Sequence, residues 1–205
     1  LTTKLKVGRL DPEGVRVSCE SSLQDLDTDY VDLLLIHWPE GNVPLADTLQ
    51  TLAELKEQGQ IRHLGVSNFP VEWMKRAVEA SSQPIFCNQV EYHPYLTQKP
   101  LLDFCRPRGI GLVAYSPLAR ADVADDERLA RIGEKYGKTP AQVALRWVVR
   151  QEGVIAIPKG SSEDHLRENL DIFDFELDDD DLATIETFEQ DKRQVDPSFA
   201  PDWDT

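Results

Sequence analysis

Short, almost wholly apolar runs alternate along this chain with longer stretches in which apolar residues recur every three or four positions. The runs are Val31 to Ile36 (VDLLLI), Arg62 to Val66, Ile85 to Val90, Gly111 to Tyr115 and Val154 to Ile157, with a shorter one around TTKL at the start. Continuous runs of this kind read as strands buried on both faces, and the intervening 3.6-residue period reads as helices. The first predicted helix covers Asp11 to Leu26, with Pro12 in its first turn and Val15, Val17, Cys19, Leu23 and Leu26 as its apolar positions. Others run from Leu45 to Leu55, from Pro70, from Pro100 and from Asp125 to Tyr136. Three more are a helix capped by Thr139 that ends near Arg150, Glu163 to Leu170 capped by Ser162, and Asp178 to Phe188.

Strand–helix repeats predict an α/β fold with a parallel sheet. Each run ends on polar residues: Lys4, His37, Ser67 with Asn68, Gln89, Tyr115 and Lys159, spaced 22 to 44 residues apart. Functional groups at strand C-termini are the arrangement of a (β/α)8 TIM barrel. Six units are visible where a barrel has eight, and the chain opens directly on a strand. The reading is therefore a barrel with the first two βα units missing from this chain. No linker or low-complexity segment interrupts residues 1–205, which are taken as one partial barrel domain with an irregular tail over 190–205.

Composition narrows the partners. With 37 acidic against 22 basic residues the net charge is −15, which repels nucleic acid and anionic membrane surfaces and suits a salt-adapted, acidic proteome. The acidic runs Asp122 to Asp126 and Asp178 to Asp181 read as solvated helix starts and loops. Three cysteines, Cys19, Cys87 and Cys105, are odd in number and lack metal-ligand spacing, so neither a disulfide framework nor a metal is expected, and a reduced cytoplasmic setting follows. No apolar run has the length of a membrane span.

The segments LLLIHWP, GVSNF, CNQVEYHPY, VAYSPLA and IPKGSSEDHLREN, in this order and register, closely resemble the aldo-keto reductase superfamily from the first residue to about Trp203. The resemblance implies an NADPH-dependent reductase of aldehydes and ketones. It places Lys4 and His37 in the catalytic set. A lysine beside a tyrosine favours the phenolate, and the histidine orients the substrate carbonyl, where near-contact geometry matters most. Ser67, Asn68 and Gln89 match the clamp on the nicotinamide carboxamide, an amide that needs both donors and acceptors. Tyr115 matches the ring that stacks on nicotinamide, and Ser116 and Leu118 follow it in the cofactor loop.

Lys159, Ser161, Ser162, His165, Glu168 and Asn169 match the adenosine 2′-phosphate and adenine site, the phosphate lying at a helix N-terminus. His165 stands where many NADPH-specific members carry Arg. Losing that charge-assisted contact costs about 1.5–3 kcal/mol, roughly 10- to 150-fold, so NADPH is expected with NADH as a weaker alternative. Trp38 and Trp203 are candidate substrate-pocket residues, core packing being the equal alternative for Trp38. His63, His93 and Trp147 read as structural.

The family's catalytic Asp and Tyr fall upstream of Lys4, and Tyr30, Tyr92, Tyr95 and Tyr136 stand at no suitable strand end. This stretch alone is therefore expected neither to fold stably nor to turn over. The intact protein is expected to be a monomer acting on a small carbonyl compound. The competing readings are a non-catalytic nucleotide-binding relative with a regulatory or redox-sensing role, and an unrelated barrel enzyme such as a metal hydrolase or phosphate-sugar isomerase.

Overall fold

The computed structural model describes residues 1–120 and 122–204. The chain forms two compact units. The first comprises Leu1–Gln89, Asp103–Gly111 and Pro197–Thr205; the second comprises Val90–Leu102 and Leu112–Asp196.

In the first unit, β1 (Thr2–Leu5), β2 (Val31–Ile36), β3 (Ile61–Ser67) and the start of β4 (Ile85–Glu91) lie side by side in sequence order, all parallel. Helices α1 (Pro12–Asp25), α2 (Leu45–Glu57) and α3 (Val71–Ala80) connect them. Leu34, Ile36, Leu64 and Val66 are fully buried, as are Val15, Leu49 and Leu52 from the helices. α1 starts where Asp11 accepts a hydrogen bond from Gly14 N at 3.0 Å, with Pro12 at the first turn. Its buried stripe is Val15, Cys19 and Leu23, spaced four apart. Val17 and Leu26, expected on that stripe, are 52% and 43% exposed. Val17 sits about half a turn from Val15 and Cys19, and Leu26 lies past the last turn, so neither can share their face.

One irregularity in this sheet controls the site. Leu64 pairs with Ile85 but Val66 pairs with Asn88, so β4 uses three residues where β3 uses two. Such a bulge moves the following side chains to the other face. Ser67 consequently lies opposite Gln89, not Asn88. Gly65 makes the close approach there possible, since a Cβ on it would stand 2.8 Å from Leu35 Cδ2 and 2.9 Å from the Cys87 carbonyl oxygen.

In the second unit, β5 (Gly111–Tyr115, from Leu112) pairs with β6 (Val154–Ala156) in parallel, Leu112 opposite Val154 and Ala114 opposite Ala156. Helix α4 (Lys99–Cys105) begins in this unit. Four further helices follow: α5 (Glu127–Tyr136), α6 (Pro140–Val149), α7 (Glu163–Leu170) and α8 (Asp179–Glu186). The expected caps are present: Thr139 and Gln142 form a capping box, Ser162 caps α7, and α5 stops at the left-handed Gly137. α5 starts two residues later than expected because Asp126, not Asp125, is its cap.

The acidic runs are exposed at Asp122, Asp125 and Asp178 to Asp180, as expected, while Asp181 and Asp126 are drawn inward. Asp181 is 1% exposed and is held by Lys135 and the Tyr136 hydroxyl; Asp126 is held by Arg128 and Tyr95. Cationic and hydroxyl partners offset the cost of burying these carboxylates. His63, by contrast, is exposed and stacks on Phe86 with ring centroids 4.4 Å apart. Trp147 and His93 are buried.

Gly65→Ala should lower stability by about 1–3 kcal/mol, the cost of overpacking against Leu35 and the Cys87 backbone. Denaturant titration checks this, with the midpoint falling and the slope unchanged.

Candidate active site

The first unit gathers Lys4, His37, Ser67, Asn68 and Gln89. Lys4 lies in β1 opposite Leu35 of β2, and His37 follows the end of β2 directly. Asn68 turns the chain out of β3 at φ 62°, a left-handed conformation that asparagine tolerates better than most residues. From there it ties the neighbouring strand ends together. Its Nδ2 donates to the His37 carbonyl at 3.0 Å and to Ser67 Oγ at 3.2 Å, while its main-chain N–H donates to the Gln89 carbonyl at 2.9 Å. Ser67 Oγ donates to the same Gln89 carbonyl at 2.8 Å. One hydrogen-bonded chain thus runs from the end of β2 to β4.

Asn88 is spent on structure, donating from Nδ2 to the Phe69 carbonyl at 2.8 Å. Gln89 is not. It is only 5% exposed, and its side-chain amide makes no hydrogen bond to any described residue. Its amide atoms still reach solvent, since the buried side-chain polar atom left without a partner among the described residues is Arg146 Nε, and its donor and acceptor are uncommitted. A carboxamide supplies the matching donor and acceptor, so these residues fit the nicotinamide end of the implied cofactor.

Lys4 and His37 are half-buried. Burial pulls the Lys4 ammonium below its ordinary range, and among the described residues it has no ion-pair partner. Burial lowers His37 as well, and the Lys4 charge lowers it further. His37 is therefore neutral at neutral pH and keeps an N–H to donate. Behind it, Trp38 is 5% exposed and meets two tail rings edge-on, Phe199 at 5.6 Å and Trp203 at 5.9 Å. Asp204 then accepts from Val71 N at 2.8 Å, at the start of α3. Phe199 and Asp204 were not singled out in the sequence; an aromatic and an acid in an irregular tail carry no periodic signal.

In the second unit, Tyr115 ends β5 half-buried, and burial with the nearby Glu91 charge pushes its phenol well above the usual range. Ser116 follows at φ 47°, and Leu118 is half-buried. Lys159 is exposed in the loop after β6. Ser162 Oγ accepts from His165 N at 3.2 Å, and Ser161 Oγ lies 3.2 Å from His165 Nδ1. Glu168 is partly committed elsewhere, accepting from Thr139 Oγ1 at 2.6 Å. Asn169 lines a cavity of about 500 Å³ whose walls include Ile155, Pro158, Leu166 and Phe173. Among the described residues no cluster of three or more His, Cys, Asp or Glu side chains is arranged to hold a metal, and no helix is long and apolar enough to cross a membrane.

The model of the Aldo/keto reductase family matches residues 1–190. The chain belongs to this family. Its fold is that family's (β/α)8 barrel, seen here as a partial barrel of six parallel strands with their helices. Among curated relatives, glyoxal reductase of Bacillus subtilis is 46% identical over 174 residues, covering 85% of this chain and 62% of the relative. The chain thus spans less than two thirds of that relative's length. Methylglyoxal reductase DkgB of Escherichia coli O157:H7 is 38% identical, covering 100% of the chain and 78% of the relative. A solved structure bearing the provisional name 2,5-diketo-D-gluconic acid reductase B superposes with a TM-score of 0.96 at 43% identity, covering 100% and 74% of the two chains. The aldo-keto reductase AKR2E5 of the silkworm, Bombyx mori, solved with NADPH, gives a TM-score of 0.89 at 35% identity over 96% and 65%.

Lys4→Met should raise the His37 pKa toward its ordinary value, because the opposing charge is gone; NMR titration of the imidazole measures it, and an unmoved value would refute the coupling. The sign for stability follows. His37 titrates lower in the folded than in the unfolded chain, so the unfolded chain binds more protons between the two values. Its contribution is complete above about pH 6.5 and is lost as pH falls toward the folded value.

Proposed function

We propose that this protein reduces aldehydes and ketones to alcohols with NADPH, and accepts NADH less well. The observation that supports this best is the Gln89 side-chain amide, uncommitted to any described residue, beside Ser67 and Asn68, which hydrogen bonds join to the His37 strand end. When bound, NADPH supplies a hydride from nicotinamide C4. Ser67, Asn68 and Gln89 hold the carboxamide, and Tyr115 stacks against the ring, an arrangement worth about 0.5–1.5 kcal/mol beyond burial. Neutral His37 donates a hydrogen bond to the substrate carbonyl oxygen and fixes its angle to the ring. Lys4 keeps positive charge beside the proton donor.

That donor, by family resemblance, is a tyrosine outside these 205 residues. A polypeptide of these residues alone should therefore neither fold stably nor reduce carbonyls, the loss of the general acid by itself costing about 10²–10⁴ in rate; soluble, monodisperse protein with full turnover would refute this. Lys159, Ser161, Ser162 and His165 receive the 2′-phosphate, with Glu168 and Asn169 at the adenine; Trp38 and Trp203 wall the substrate pocket. The names of the relatives favour small dicarbonyls such as glyoxal and methylglyoxal as substrates. The protein acts as a single partial-barrel domain over these residues, monomeric and cytoplasmic.

Full-length protein should consume NADPH in the presence of aldehydes, keto acids or keto sugars. No consumption with any of them would refute the reading. His165→Arg should raise the preference for NADPH over NADH by roughly 10- to 150-fold, read from kcat/KM with each cofactor.

A further inference from the structure

One buried charge in the second unit is not used by the reaction just proposed. Glu91, at the end of β4, is 0% exposed, yet its carboxyl is held below the ordinary range. Burial opposes this, so the partners must outweigh it. Oε1 accepts from His93 Nε2 at 3.0 Å and from Gln194 N at 2.7 Å, and Oε2 accepts from Val195 N at 2.9 Å. Two of the three donors are main-chain groups of the irregular tail, more than 100 residues away in sequence. Arg193 adds its charge to the same cluster. The Glu91 carbonyl accepts from Gln98 Nε2 at 2.6 Å, and the N–H of the next residue, Tyr92, donates to the Tyr115 carbonyl at 3.3 Å.

We propose that Glu91 is a positioning residue whose buried carboxylate fixes the tail at residues 193–195. This rests on the reductase reading for its consequence, since that reading places the substrate wall on the tail. The chemistry requires a carboxylate. Both of its oxygens accept, whereas a glutamine would turn an NH2 toward one of the tail N–H groups and leave two donors facing each other.

In the full-length protein, Glu91→Gln should speed hydrogen exchange at the Gln194 and Val195 amides by about tenfold or more and open the Arg193–Gln194 bond to trypsin. KM for the carbonyl substrate should rise by a similar factor while kcat changes far less. A residue that only supports the core would not produce that split. Should Glu91→Gln fail to fold, Val195→Pro removes one donor from the tail side and carries the same expectation at the Gln194 amide, at the Arg193–Gln194 bond and in KM. Wild-type exchange in the variant that folds overturns the inference, as does faster exchange with KM and kcat unchanged or falling together. If the wild type reduces no carbonyl at all, the reductase reading fails, and exchange and trypsin cleavage alone decide whether Glu91 grips the tail.

Discussion

The site in the first unit depends on a single extra residue in β4. Regular pairing onward from Leu64 and Ile85 would bring Asn88 opposite Ser67, and the bulge substitutes Gln89. The two amides have similar chemistry but opposite fates. Asn88 is consumed by the Phe69 carbonyl, which holds the turn into α3, while the Gln89 side chain is committed to none of the described residues and keeps contact with solvent. Gly65 lets the strands come close enough for the bulge to sit there at all.

Around Gln89, the other polar groups satisfy one another. Ser67 and Asn68 are 1% and 2% exposed and bond to backbone carbonyls of adjacent strand ends, so their positions are set before any ligand arrives. Prepaid order of this kind is what makes a binding site rigid at little cost to affinity. Lys4 and His37 are different. Burial disfavours the charged form of each, and the Lys4 charge further disfavours protonation of His37.

Much of this was legible because it is local. Thr139, Ser162 and Gly137 announce helix ends through contacts three or four residues away, and the VDLLLI run needs no partner to be read as a buried strand. The strand-end motifs also located Lys4, His37, Ser67, Asn68 and Gln89. What sequence could not show is decided by distant partners. The bulge depends on how β4 settles against β3, and the burial of Asp181 depends on Lys135 and Tyr136 more than forty residues earlier. Val17 was misplaced for a different reason: apolar composition was counted without enforcing the four-residue spacing that Val15, Cys19 and Leu23 keep.

The beginning of α3 is one such long-range case. Pro70 precedes it without a side-chain cap, and Asp204 fills the role from 133 positions away. A borrowed cap contributes about 0.5–2 kcal/mol, comparable to one aromatic edge contact of the kind Trp203 and Phe199 make with Trp38. These few weak fastenings share one end of one segment, so they release together. Loss of any one of them loosens the hold of Trp38 and of the start of α3 on residues 199–204.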